Sequence, residues 1–291
     1  MNFIKRLSPE WKIFLIYFFV LLLITKPYSM SDNEASRFNA IKAMVENHRL
    51  EIGTSGFNTV DKVYIGGKWY SDKPPMLSFF GALIYFPVYH TLGSFKDHTA
   101  FVPYLMKITI IGITSSLLLI VFYRTLSLFD VKTTTKYFLT FSLGFSTLLF
   151  TYATAFNNHT MAAFLSFTGF YYYLLWVKKK QEHFFVMGLL FALSSTIDLV
   201  SGGIFLIVFS VFIFFDKMIS RRSKCLFFIS FLIPLSLHMV LNYPVTHHLL
   251  PGEALPKHYQ YEGSLFLKEV PSGVYNHDSL KSLLIYSFHS L

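Results

Sequence analysis

The chain has 291 residues, of which 53% are hydrophobic, 19% aromatic and only 14% charged, with a mean hydropathy of +0.48. Soluble domains carry about 25% charged residues, so the composition excludes an ordinary soluble protein and points to an integral membrane one. The formal net charge of +9 comes from short basic clusters between apolar runs, which reads as membrane topology rather than as a nucleic-acid surface. A single cysteine, Cys225, excludes an intrachain disulfide and a Cys-based metal site.

Near the N-terminus Lys5 and Arg6 precede an apolar run, 11–25, as in a signal peptide. No small-residue cleavage site follows, because Lys26-Pro27-Tyr28 is bulky, so the run reads as a retained anchor with a cytoplasmic N-terminus. Runs suited to crossing about 30 Å of hydrocarbon fall at 11–29, 101–123, 135–153, 160–177, 184–197, 203–216 and 224–242. Basic clusters at Arg124/Lys132/Lys136, Lys178 to Lys180 and Lys217/Arg221/Arg222/Lys224 alternate with polar turns at 157–159 and 198–203, which places the clusters in the cytoplasm. A full crossing by 76–92 would break that alternation. This segment, which contains Pro87, is therefore expected to be an interfacial or re-entrant helix. The loops 26–75 and 243–280 then share the outer face with Asn157-Asn158-His159 and Asp198.

The expected fold class is an all-α polytopic membrane protein, with about seven transmembrane helices plus interfacial helices in a large first outside loop. Residues 1–242 form the transmembrane module with its loop 26–75, 243–280 a second outside loop, and 281–291 the start of an incomplete further span, as in the N-terminal portion of a longer enzyme.

The loop 26–75 carries the chemistry. Ala35 to Leu50 has apolar residues at Phe38, Ile41, Met44 and Val45 with charges between, the period of a helix lying on the bilayer surface, with Ser31 or Asp32 as its N-cap. VYIGGKWY alternates β-formers around Gly66-Gly67 and predicts a hairpin that returns YSDKPP to the membrane. There Pro74 and Pro75 suit the first turn of the next helix.

SDNEASRFNAI, TVDKV, the hairpin, YSDKPP and the later FNNH turn resemble the bacterial branch of the GT-C glycosyltransferases, the glycosyltransferase family 39-like enzymes related to protein O-mannosyltransferases and aminoarabinose lipid A transferases. The resemblance implies a polyprenyl-phosphate-linked sugar donor and an active site on the periplasmic face. It places the general base on Asp32 and the lipid-phosphate ligands on Arg37 and Lys73. The family pattern has adjacent Asp and Glu before Arg; here Asn33 separates Asp32 from Glu34, so either carboxylate is a candidate base.

The residue types fit that chemistry independently. A polyprenyl phosphate leaving group needs positive charge more than a proton, which an Arg fork and a Lys point charge supply. An acceptor hydroxyl needs one base, and one base implies inversion. The alternative role for Arg37 and Lys73 is headgroup anchoring, and for Asp32 a helix cap.

Beyond the loop, His159 and Asn158 are possible substrate contacts, and Asp198 in TIDLVSGG is either functional or a solvated turn carboxylate. The aromatic stretch 170–176 reads as a lipid-facing belt. His247, His248, His258 and His277 match no zinc spacing; a divalent ion on Asp32 and Glu34 remains open, with no metal site assigned. Residue usage rich in Phe, Ile, Lys and Asn fits a bacterial cytoplasmic membrane and undecaprenyl phosphate as the lipid. The acceptor is a glycan, a lipid or a protein, and membrane lipids surround the chain. A lipid or solute transporter and a truncated inactive scaffold are the alternative functions; 101–177 and 184–242 show no internal repeat of the kind expected of the former.

Overall fold

A computed structural model describes residues 7–53, 56–262 and 264. Helix α1 (Pro9–Ile24) stops where Lys26-Pro27 follows. Helix α2 (Asp32–Glu46) begins at Ser31, whose Oγ accepts from Glu34 N–H at 3.3 Å. Strands β1 (Lys62–Ile65) and β2 (Lys68–Ser71) form the expected antiparallel hairpin, pairing Lys62 with Ser71 and Ile65 with Lys68. Gly66 and Gly67 both have positive φ, 57° and 81°, as a two-residue hairpin turn requires.

Helix α3 (Pro75–Leu92) follows, and then α4 (Phe101–Leu126), whose segment Lys107–Gly112 is wound as a π-helix. The remaining helices are α5 (Thr133–Phe145), α6 (Leu148–Tyr152), α7 (Asn158–Lys179), α8 (Phe184–Ile197), α9 (Leu199–Phe215) and α10 (Arg221–Thr246). Apolar segments form helices close to the positions expected, but their lengths differ. Among the described residues three helices, α4, α7 and α10, are long and apolar enough to cross a membrane, which marks a helical membrane protein but not the expected seven spans. The physical reason is length. α8 has 14 residues and α9 has 17, so α8 reaches only about 21 Å at 1.5 Å per residue. The expected span 135–153 is broken at Ser146, after which the Thr147 side chain caps α6 by accepting from Leu149 N–H. No part of the stretch 281–291 is among the described residues, nor is His277.

Two packed clusters matter for the site. Phe38, Ile41 and Val45 of α2 pack with Met76, Leu77 and Tyr85 of α3, Met106 and Ile110 of α4, and Phe156 and Ala162 beside and within α7. Packing of these side chains fixes the loop 26–75 onto the long helices. A second cluster, including Trp176, Phe191, Phe209 and Phe227, joins α7, α8, α9 and α10. α2 is no half-exposed surface helix: Glu34 through Ile41 are all buried, Arg37 and Asn39 included. Asn39 explains part of this. Its amide exchanges hydrogen bonds with both backbone groups of Phe57, at 2.7 and 2.8 Å, which holds the following loop over the helix.

Candidate functional site

Five segments converge: the start of α2, the turn after β2, the start of α7, the α8–α9 junction and a strap of two 3-10 turns at Gly252–Ala254 and Pro256–Tyr259. The loop 26–75 touches the Asn157-Asn158-His159 turn through Arg37 and Asn158, and the strap touches that loop through Tyr259 and Asp72.

Arg37 lies at the centre, 1% exposed. Its Nε donates to Asn33 Oδ1 at 3.1 Å and its Nη2 to Asn158 Oδ1 at 2.9 Å, while Nη1 is buried without a hydrogen-bond partner among the described residues. Burial lowers the Arg37 pKa, and the opposing charges of Glu253, Asp72, Asp198 and Asp61 counter it. A guanidinium keeps its charge in such a setting, so Nη1 is a buried charged N–H with no acceptor among the described residues.

Lys73 sits in a carboxylate cage. Its Nζ is 3.0 Å from Asp61 Oδ2, 3.1 Å from Asp72 Oδ2 and 4.0 Å from Glu253 Oε2. Burial alone would lower its pKa, but Asp72, Asp61 and Glu253 outweigh it and raise the value. Asp72 is buried, which pushes its carboxyl up, and it accepts from Tyr259 Oη at 2.8 Å and from Ser36 Oγ at 3.4 Å. The strap is thus tied to the YSDKPP turn, and Glu253 N–H donates to Asp72 O at 2.8 Å as a second tie. Burial pushes the Glu253 carboxyl up to about 7, against the pull of Lys73.

The FNNH turn divides its labour. Asn157 caps α7, its Oδ1 accepting from Thr160 N–H at 2.9 Å; Asn158 holds Arg37; His159 Nδ1 lies 2.7 Å from Asp198 Oδ2. Asp198 ends α8 and caps α9, its Oδ1 accepting from Ser201 N–H at 3.2 Å. Burial raises the Asp198 pKa, but hydrogen bonding and charge from His159, with the Ser201 N–H, bring it below the usual value.

The two candidate bases lie apart from one another in role. Glu34 is buried with both oxygens engaged: Oε1 accepts from Phe156 N–H at 2.6 Å and pairs with Lys107 Nζ at 3.1 Å, and Oε2 accepts from Met30 N–H at 2.6 Å. Asp32 is exposed, and its Oδ1 accepts from Val60 N–H at 3.0 Å. Lys107, Asp61, Glu253 and Tyr259 escaped the sequence reading. Lys107 had a usable signal, a lone charge inside an apolar span, and Asp61 lies in TVDKV without a role assigned there; Glu253 and Tyr259 had none, since only folding brings them to Lys73.

Among the described residues no group of three or more His, Cys, Asp or Glu side chains is arranged to hold a metal ion. The cation between Asp61, Asp72 and Glu253 is the Lys73 ammonium. No family model, curated protein or solved structure matches the chain.

Proposed function

We propose that this protein is a membrane glycosyltransferase that moves a sugar from a polyprenyl-phosphate-linked donor to a hydroxyl acceptor, with inversion, on the outer face of a bacterial cytoplasmic membrane. The observation that carries the reading is the buried Arg37 Nη1, a charged donor without a partner among the described residues. A phosphate oxygen is the acceptor such a group calls for. In this reading all seven apolar segments lie in the bilayer, the shorter ones accommodated by local thinning.

Arg37 orients the donor phosphate, and Asn33 and Asn158 hold the guanidinium plane so that Nη1 faces it. Lys73 supplies a second positive charge, but two cations stand among four carboxylates: Asp61, Asp72, Asp198 and Glu253. The donor phosphate therefore enters as Glu253 takes a proton or swings away from Lys73. The leaving polyprenyl phosphate keeps the electron pair of the broken C1–O bond and stays bound to Arg37.

Native mass spectrometry of the chain with undecaprenyl phosphate tests this. Wild type should retain the lipid, and Arg37→Gln and Lys73→Ala should both lose it. Equal retention in all three, or none in any, would overturn the assignment and favour a transporter or scaffold.

A further inference from the structure

The site needs a proton acceptor, and Glu34 is poorly placed to be it, while Asp32 is exposed with one oxygen on the Val60 N–H. Glu34 spends both oxygens on Phe156, Met30 and Lys107. A different pair has the required form. Asp198 has a side chain only 7% exposed and is held by Ser201 N–H, while His159, with 57% of its side chain exposed, turns Nδ1 to Asp198 Oδ2 at 2.7 Å. A carboxylate accepting from Nδ1–H leaves Nε2 with its lone pair free, and the same carboxylate steadies the imidazolium once a proton arrives. His159 Nε2 makes no hydrogen bond among the described residues, and its ring is braced edge-on by Tyr152 at 5.6 Å.

The pair neighbours the anion site. The residue before His159, Asn158, is the Arg37 Nη2 partner, and the charge of Asp198 is felt by both Arg37 and Glu253. Titratable and charged groups that bear on the pair include Arg37 on α2, Glu253 on the strap, and Tyr152 on α6.

We propose that His159 is the catalytic base of the transfer and Asp198 its positioning residue, a refinement that rests on the glycosyl-transfer reading above. As the acceptor oxygen bonds to the anomeric carbon, the bond from that carbon to the phosphate oxygen breaks. Its electron pair leaves with the polyprenyl phosphate, and the acceptor hydroxyl proton passes to His159 Nε2.

The test is the rate at which diethyl pyrocarbonate acylates His159, read by peptide mass spectrometry on the full chain in lipid nanodiscs, with undecaprenyl phosphate as the probe and native mass spectrometry reporting its binding. The free Nε2 lone pair should make His159 react readily. Asp198→Asn, which removes the negative charge behind Nδ1–H, should slow it severalfold, and Asp198→Glu should recover much of the rate. Bound undecaprenyl phosphate should shield His159 in the wild type, a readout that needs no variant to fold and that a purely structural hydrogen bond would not produce. Lipid bound with His159 acylation unchanged overturns this assignment alone, as does an unaltered rate in a folded Asp198→Asn chain. No lipid bound overturns the glycosyl-transfer reading and this assignment with it.

Discussion

Lys107 Nζ lies 3.1 Å from Glu34 Oε1, and neither side chain reaches solvent, at 0% and 2% exposure. The ammonium also donates to Tyr28 O at 2.7 Å and Lys26 O at 3.4 Å. It thereby anchors the loop 26–75 to the π-wound stretch of α4, where a local change of winding commonly marks a functional position. Removing one member of a buried pair strands the other, at about 3–5 kcal/mol. Lys107→Met should lower stability by that order in thermal unfolding of the detergent-solubilised protein. Adding Glu34→Gln should cost less than the sum of the two single changes.

The Asn39 clamp on Phe57 also holds Phe57 against Phe38 and Phe95, at ring separations of 5.8 and 5.4 Å. Asn39→Ala leaves two backbone groups without their partner and should cost about 1–3 kcal/mol. Hydrogen exchange should rise first in residues 56–61, ahead of the long helices.

Strap docking should depend on pH. Glu253 has its pKa pushed up to about 7 from an ordinary 4.5, so the docked strap binds a proton more tightly than the free one. By linkage, docking is strongest below about 4.5, weakens as pH rises towards about 7, and levels off above that. Hydrogen exchange of residues 250–261 should accelerate across that window in the wild type. In Glu253→Gln the dependence should flatten.

Gly188 on α8 faces α10, where an added Cβ would overlap Phe227 O and Ser230 Oγ. Gly188→Ala should therefore destabilise by about 1–3 kcal/mol through forced separation of the two helices. Gly203 has nothing within 4 Å of its Cβ position, so Gly203→Ala should be neutral or slightly stabilising in the same melt.

Local features were legible wherever their cause is local. Gly66-Gly67 between β-formers is enough for the hairpin, Ser31 starts α2, and the Asn157-Asn158-His159 point in an uncharged run is where α7 begins. What could not be read was the company each charge keeps. Lys73 meets Glu253, 180 positions away, and Glu34 meets Phe156 and Lys107; no spacing rule connects such residues.

By itself, then, the order of residues determined a helical membrane chain whose charges collect in loops, because hydrophobicity, turn chemistry and capping act over a few neighbours. Only the tertiary structure decided which carboxylate is buried as a strut, which lysine is caged, which arginine N–H is left open, and which histidine is aimed by an aspartate. Those properties depend on distance and burial, and for ionised groups a few ångströms and the loss of water outweigh anything encoded in sequence separation.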